Sequence, residues 1–286
     1  MTNIHPAAHI GMVALKVENL PLMSEFYQEI IGLDVKKQTE TEIQLGNQED
    51  EKILLRLQKV TPQKKSQSTT GLYHIAFLLP ERKDLGDSLY HLLKVNYPLA
   101  GASDHGYSEA IYLTDPEGNG IEIYRDKPKE VWTIESDGRI EGITIEMDAE
   151  GVLGEATGSF RGMPSGTTVG HVHLTVADLA KTEDFYVELI GMSLKSTLQN
   201  SAKFIAAGDY HHHIGTNIWS GRHLPPLPED MRGLNYFTIE IPSAEDTQAI
   251  ALRLNDAEYP FEWRENDTTL AVTDPNGIHL LVKVEK

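Results

Sequence analysis

An internal repeat is the feature that most restricts how this chain can fold. Three landmarks recur with one spacing of 159 positions, pairing Leu20 with Leu179, Phe26-Tyr27 with Phe185-Tyr186, and Asp115-Pro116 with Asp274-Pro275. A constant offset shared by unrelated residue types is the signature of duplicated structural units. The two halves of the chain are therefore predicted to share one fold.

Each half is itself a pair of similar units. A strand-like run opens each half and leads into a helical pattern that ends at Gly32 or Gly191, where glycine suits a left-handed helix cap. A second strand begins halfway through each half, at Gly71 and at Gly233, and a charged amphipathic segment follows it. The sequence thus predicts an α+β fold of four βαβββ modules that build curved mixed sheets with flanking helices.

The segment between the halves does not follow this pattern. Residues 127–167 are rich in glycine and proline, which are typical of turns and linkers. We therefore expect a first domain over residues 1–126, a connector over residues 127–167, and a second domain over residues 168–286.

Composition excludes several classes of function. The 286 residues carry a net charge of −18, which disfavours nucleic acid and anionic membranes as partners. The absence of cysteine excludes disulfides and thiolate metal sites, so any metal must be held by nitrogen and oxygen atoms. The N-terminus has no signal-peptide pattern, and the expected location is cytoplasmic.

The order of these motifs, with Asp-Pro-x-Gly-Asn-x-Ile-Glu at residues 115–122, resembles the glyoxalase, bleomycin-resistance and extradiol dioxygenase superfamily. Four modules in one chain resemble the type I extradiol dioxygenases, and residues 210–219 are similar to the bacillus-type catechol 2,3-dioxygenases. The resemblance covers nearly the whole chain. It implies two glyoxalase-like domains and a metal-dependent enzyme.

In this family the metal ligands come from the first strand of each module and from the last strand of one module. The first-strand position holds His74 in module two and His171 in module three, but Met12 and Tyr236 in the others. The last-strand carboxylate is Glu122 in module two. The resemblance therefore implies a metal site of His74, Glu122 and His171, a set typical of non-haem iron(II) oxygenases.

Two arrangements of the modules remain open at this stage. In this family, two paired modules form one cup-shaped site. If module one pairs with two and module three with four, neither cup holds a complete triad, and His9 becomes a candidate ligand. If module two pairs with three, the triad is complete, and modules one and four form a cup without a metal. The second arrangement is favoured because it unites all three ligands.

Four further residues are candidates for proton transfer and substrate binding. Strand alternation along the run from 210 to 213 would place His211 and His213 on one face, and the family carries an acid/base histidine in this region. We expect His213 in that role, with His211 as the next candidate. Tyr112 and His105 are similar to family residues that hydrogen-bond the substrate hydroxyl groups.

The leading hypothesis is Fe(II)-dependent extradiol cleavage of catechol or a related aromatic diol by dioxygen, with Mn(II) as the alternative metal. The second is a glyoxalase-like isomerase or lyase, which uses four protein ligands and would gain support if His213 were the fourth. A metal-free drug-binding protein is the third. Assembly into a homo-oligomer is a further expectation from the family.

Overall fold

A computed structural model describes residues 3–61, 68–265 and 268–285 of the chain. The first half consists of β1 (His9–Val17), α1 (Leu20–Glu29), β2 (Asp34–Gln38), β3 (Glu42–Gly46), β4 (Leu55–Lys59), β5 (Gly71–Leu79), α2 (Arg82–Lys94), β6 (Gly101–Asp104), β7 (Ser108–Thr114) and β8 (Gly120–Asp126). The order is strand, helix and three strands, twice, which is the predicted βαβββ module.

The segment between the halves has structure of its own. It contains a 3-10 turn (Lys129–Val131), short strands β9 (Thr133–Ile134), β10 (Ile140–Glu141) and β11 (Ile145–Glu146), and helix α3 (Ala149–Gly154). Strand β11 pairs with β6 at the edge of a sheet, and α3 packs against α2. The segment expected to be a simple connector therefore extends the first half.

The second half repeats the module twice. It consists of β12 (Thr168–Thr175), α4 (Leu179–Asp184) with a π-helical turn (Phe185–Leu189), β13 (Ser193–Leu198), β14 (Ala202–Ala206), β15 (Ile214–Asn217), β16 (Gly233–Ile241), α5 (Ala244–Asp256), β17 (Phe261–Arg264), β18 (Thr269–Thr273) and β19 (His279–Val284). Gly32 and Gly191 follow the first helix of each half with φ of 87° and 92°, as predicted. The α+β fold of four modules is confirmed.

The four modules form two large mixed sheets. The first has the strand order β17-β18-β19-β16-β1-β4-β3-β2, and the second has the order β11-β6-β7-β8-β5-β12-β15-β14-β13. The first sheet thus joins module one to module four, and the second joins module two to module three. The pairing of β5 with β12 confirms the arrangement that unites the expected ligands.

The repeated landmark residues hold the modules of each half together. The buried Tyr27 hydroxyl donates to the Asp115 carboxylate across 3.0 Å, and Tyr186 donates to Asp274 across 3.4 Å. Each bond joins the first helix of a half to the turn before its last strand, so the duplicated motifs mark duplicated contacts. One apolar core extends beneath both sheets. No helix in the described part of the chain is long and apolar enough to span a membrane.

Candidate metal centre

Three neighbouring strands bring the expected ligands to one face of the second sheet. In the register of β5 with β8 and β12, Ala76 lies opposite both Glu122 and His171. His74 is two residues before Ala76 and therefore projects from the same face. The small side chain of Ala76 leaves space between the three larger groups.

The potential ligand atoms of these residues form a nearly equilateral triangle. Nε2 of His74 lies 3.0 Å from Oε2 of Glu122 and 3.3 Å from Nε2 of His171, and the latter lies 3.1 Å from the same carboxylate oxygen. Metal bonds of about 2.0–2.2 Å at right angles place neighbouring ligand atoms about 3 Å apart. The triangle therefore fits one face of an octahedral divalent metal ion, which leaves the opposite face open.

Burial prepares these groups to bind a cation. His74, Glu122 and His171 are 7%, 3% and 1% exposed. Burial lowers the pKa of His171 to about 4, so its ring is neutral near pH 7 and offers a lone pair. Burial alone would raise the pKa of Glu122, but the adjacent His171 and His74 hold it well below its usual range. The carboxylate is therefore ionised.

The triad opens into a cavity of about 660 Å³. That volume lies within the range of roughly 300–1,000 Å³ found for small-molecule sites. Its walls come from modules two and three and from residues 141–144 of the segment between the halves. The aromatic residues of the wall are Tyr73, Tyr107, Tyr112, Phe204 and Trp219.

Tyr112 and His105 form a hydrogen-bonded pair at the cavity. Tyr112 lies directly opposite Glu122 in the register of β7 with β8, so the two side chains share a face of the sheet. His105 lies 2.7 Å from the Tyr112 hydroxyl through Nε2 and 2.9 Å from the Ile143 carbonyl through Nδ1. Because a carbonyl only accepts, Nδ1 of a neutral ring donates to Ile143 and Nε2 accepts from Tyr112.

The histidine run is placed differently from the prediction. Residues 210–213 lie in an irregular loop, and β15 begins only at Ile214, so strand alternation does not govern the orientation of these side chains. His212 lines the cavity, and its ring centre lies 4.2 Å from that of His171. His213 instead accepts from the Ala207 backbone amide through Nδ1 across 3.2 Å. Neither His211 nor His213 is among the cavity-lining residues.

A chain of hydrogen bonds leads from the surface to His212. Asp126 lies 2.9 Å from Nε2 of His211, and Nδ1 of His211 lies 2.8 Å from Nδ1 of His212. A carboxylate only accepts, so Nε2 of a neutral His211 carries the proton and its Nδ1 must accept from His212. This arrangement leaves the lone pair of His212 on Nε2. Burial holds the pKa of His212 well below its usual range, so the ring is neutral.

Another histidine at the cavity was not predicted from the sequence. His173 lies directly opposite His74 in the register of β12 with β5, and it is 4% exposed. Its Nε2 atom has no hydrogen-bond partner among the described residues. Two-residue spacing from His171 was the sequence signal that could have identified it.

His9, the alternative ligand, lies in the first sheet. Its Nε2 is 3.7 Å from Glu240 and 3.8 Å from Glu285, and it takes no part in the triad. The triad and this more exposed cluster are the two groups of potential ligand atoms found among the described residues.

Comparison with known proteins agrees with this architecture. The chain belongs to the Glyoxalase/Bleomycin resistance protein/Dioxygenase superfamily, whose sequence profile matches residues 9–123 and 168–281. It is 40% identical over 282 residues to catechol-2,3-dioxygenase of Bacillus subtilis strain 168, covering 96% of each chain.

Solved structures share the fold at low sequence identity. A proposed dioxygenase from Bacillus subtilis subsp. subtilis str. 168 aligns with a TM-score of 0.65 and 14% identity, over 99% of this chain and 86% of that one. Glyoxalase I from Zea mays aligns with a TM-score of 0.57 and 12% identity, over 97% and 92%. Because the same fold occurs in dioxygenases and glyoxalases, the function depends on the site.

Proposed function

We propose that this protein is an Fe(II)-dependent extradiol dioxygenase that cleaves the ring of a catechol. The observation that carries the proposal is the buried triangle of His74, Glu122 and His171 opening into an aromatic-walled cavity. Two histidines and one carboxylate with open positions are typical of non-haem Fe(II) oxygenases. The full-length relative, a catechol-2,3-dioxygenase, supports the same reaction.

His74, Glu122 and His171 would hold the iron, which would supply binding of the diol and dioxygen and the electron transfer that dioxygen chemistry requires. The protein supplies the rest. With a divalent ion bound, the imidazoles of His74 and His171 would be uncharged ligands and Glu122 would add one negative charge, so the site would keep a net positive charge that favours a catecholate. The aromatic side chains of the wall would pack against the ring.

Proton transfer is assigned to His212, which replaces His213 in this role. The lone pair on Nε2 can take a proton from a diol hydroxyl, and the Asp126–His211 pair stabilises the imidazolium that forms. Returning that proton later makes His212 the general acid. His211 acts as a positioning residue because it contacts His212 rather than the cavity.

Tyr112 is assigned to the second hydroxyl of the diol. Burial raises its pKa well above the usual range, so it remains a phenol. Its proton points to His105, which leaves the phenol oxygen free to accept from a substrate hydroxyl. His105 thus fixes the orientation of Tyr112.

The glyoxalase-like alternative required a fourth protein ligand. His213 was the candidate, but its ring nitrogen accepts from the Ala207 amide and does not line the cavity. Among the described residues, the group around His74 contains three ligand atoms. The site therefore favours the dioxygenase hypothesis.

The test is anaerobic loading with Fe(II), followed by catechol and air, with ring opening measured by absorbance and bound iron by elemental analysis. Wild type should produce the yellow semialdehyde, and His74→Ala and His171→Ala should lose both iron and activity. An iron-loaded wild type that cleaves no catechol would refute the proposal. Full activity in His171→Ala would refute the shared site.

A further inference from the structure

Among the described residues, the histidines are the basic side chains that line the cavity, and no permanently charged cation there could pair with an anionic ring substituent. No lysine or arginine lines it among the described residues, and Glu141 adds a negative charge at its rim. The nearest cations in sequence are engaged elsewhere: Arg139 bonds Asp137, Lys195 donates to the Gly138 carbonyl, and Lys203 pairs with Glu183. A substrate carboxylate would be desolvated here without a counter-ion.

The rim of the same cavity is apolar and exposed. Tyr73, Ile143, Leu198 and Trp219 line the cavity and are 43%, 47%, 44% and 46% exposed. Clusters of large, exposed apolar side chains are uncommon on protein surfaces, and at the mouth of a pocket they indicate a surface that a ligand covers. We call these four residues the apolar rim.

The cavity has room for more than an unsubstituted ring. Catechol has only eight non-hydrogen atoms, whereas about 660 Å³ is a volume suited to much larger ligands. A ring bound at the triad would leave the outer part of the cavity, beside Leu198 and Trp219, for a substituent.

We infer that the preferred substrates are catechols with an uncharged, apolar ring substituent, and that carboxylate-bearing catechols are rejected. This inference rests on the proposed ring-cleavage function and names its substrate class. The substituent packs against the apolar rim, while Glu141 and the lack of a lysine or arginine among the described lining residues act against an acid. The strongly negative net charge of −18 opposes acidic substrates further.

The first test compares two substrates of nearly the same shape, 4-isopropylcatechol and 3,4-dihydroxybenzoate, in the iron-loaded enzyme. We expect kcat/KM for the isopropyl compound to exceed that for the acid at least about 100-fold, because an unpaired charge is costly to bury. It should also exceed that for catechol. Equal efficiency for the acid would overturn the inference.

Variants at the rim identify the groups responsible. Trp219→Ser and Leu198→Ser should each lower the preference for 4-isopropylcatechol over catechol about fivefold, from lost apolar contact. Leu252→Ser is the matched control, because Leu252 is 64% exposed on helix α5, which packs against the first sheet, and its substitution should leave the ratio unchanged. Glu141→Lys should raise the efficiency for the acid relative to its isopropyl analogue about tenfold. Unchanged ratios in all three rim variants would overturn the inference.

Anaerobic calorimetry separates this inference from the proposed reaction. The metal-loaded protein should bind 4-isopropylcatechol more tightly than 3,4-dihydroxybenzoate even where no turnover occurs. This binding preference without ring cleavage would support the substrate class and refute the reaction. Ring cleavage of both compounds with equal affinity would support the reaction and refute the substrate class.

Discussion

His212 and His213 are adjacent in sequence but have different surroundings, and this difference can be tested. His212→Gln removes the ring that faces the cavity, so kcat should fall by about 10²–10⁴-fold, the usual contribution of general acid–base catalysis. His213→Asn keeps an acceptor for the Ala207 amide and should retain most of the activity. Steady-state kinetics with equal bound iron in both variants provides the comparison, and a larger loss in His213→Asn would contradict this assignment.

His9 and Glu240 form an ion pair whose strength should depend on pH. The facing Glu240 raises the pKa of His9 above 6.5, and His9 lowers that of Glu240 to about 2. Glu285 and Lys283 also face the pair. Stabilisation from His9 is complete below 6.5 and is lost as pH rises through its folded-state pKa. Stabilisation from Glu240 is present above 4.5 and is lost as pH falls towards 2.

The pair should therefore be strongest between about pH 4.5 and 6.5. His9→Gln should lower the free energy of unfolding by about 0.5–1 kcal/mol at pH 5.5 and by less at pH 8.5. Urea denaturation at both values measures this. His91→Gln is the control because its ring contacts the Glu29 carbonyl instead of a carboxylate. An equal loss from His9→Gln at both pH values would count against the ion pair.

At the scale of elements, helix α2 contacts helix α3 closely at Gly86. A Cβ atom at this position would lie 2.5 Å from the Val152 carbonyl oxygen and 3.0 Å from the Ala156 nitrogen. Gly→Ala inside a helix is ordinarily favourable. Here we expect Gly86→Ala to destabilise the protein by about 1–3 kcal/mol, because the backbone of α3 must move.

Gly154→Ala in α3 is the matched control, since no atom of the described residues outside its own helix and chain neighbours lies within 4 Å of the new methyl group. Its free energy of unfolding should be unchanged or slightly higher. Urea denaturation of the two variants provides the comparison. If Gly86→Ala were as stable as wild type, the close contact between the helices would be incorrect.

Regular elements were predictable from the sequence, whereas irregular segments were not. The offset of 159 positions indicated two equivalent halves, and the second strand start in each half indicated four modules. The absence of ligands at Met12 and Tyr236 favoured the observed sheet pairing. Strand alternation describes Tyr112 and Glu122, which lie opposite each other in paired strands. The alternation prediction failed for residues 210–213, because the backbone before Ile214 is not an extended strand. The structure of residues 141–146 depends on contacts with residues distant in sequence, such as the pairing of β11 with β6, and such contacts produce no local sequence pattern.

At the scale of the whole molecule, the triad joins the two halves of the chain. His74 and Glu122 come from the first half and His171 from the second, and they meet where β5 pairs with β12. A metal ion bound there would bind the folded protein and not the unfolded chain, in which these residues are far apart. Metal binding should therefore stabilise the assembled second sheet.

Anaerobic addition of Mn(II), a redox-stable probe, should raise the free energy of unfolding of wild type by about 2.7 kcal/mol at a free concentration 100 times its Kd. His171→Ala should show little increase, since one of three ligands is missing, whereas His9→Gln should respond as wild type does. Thermal unfolding with and without chelator measures these differences. Equal stabilisation of wild type and His171→Ala, with none in His9→Gln, would place the metal at His9, Glu240 and Glu285 in the first sheet. That result would leave the repeated fold unaffected but refute the proposed chemistry, because the triad would then be a hydrogen-bonded cluster without a cation.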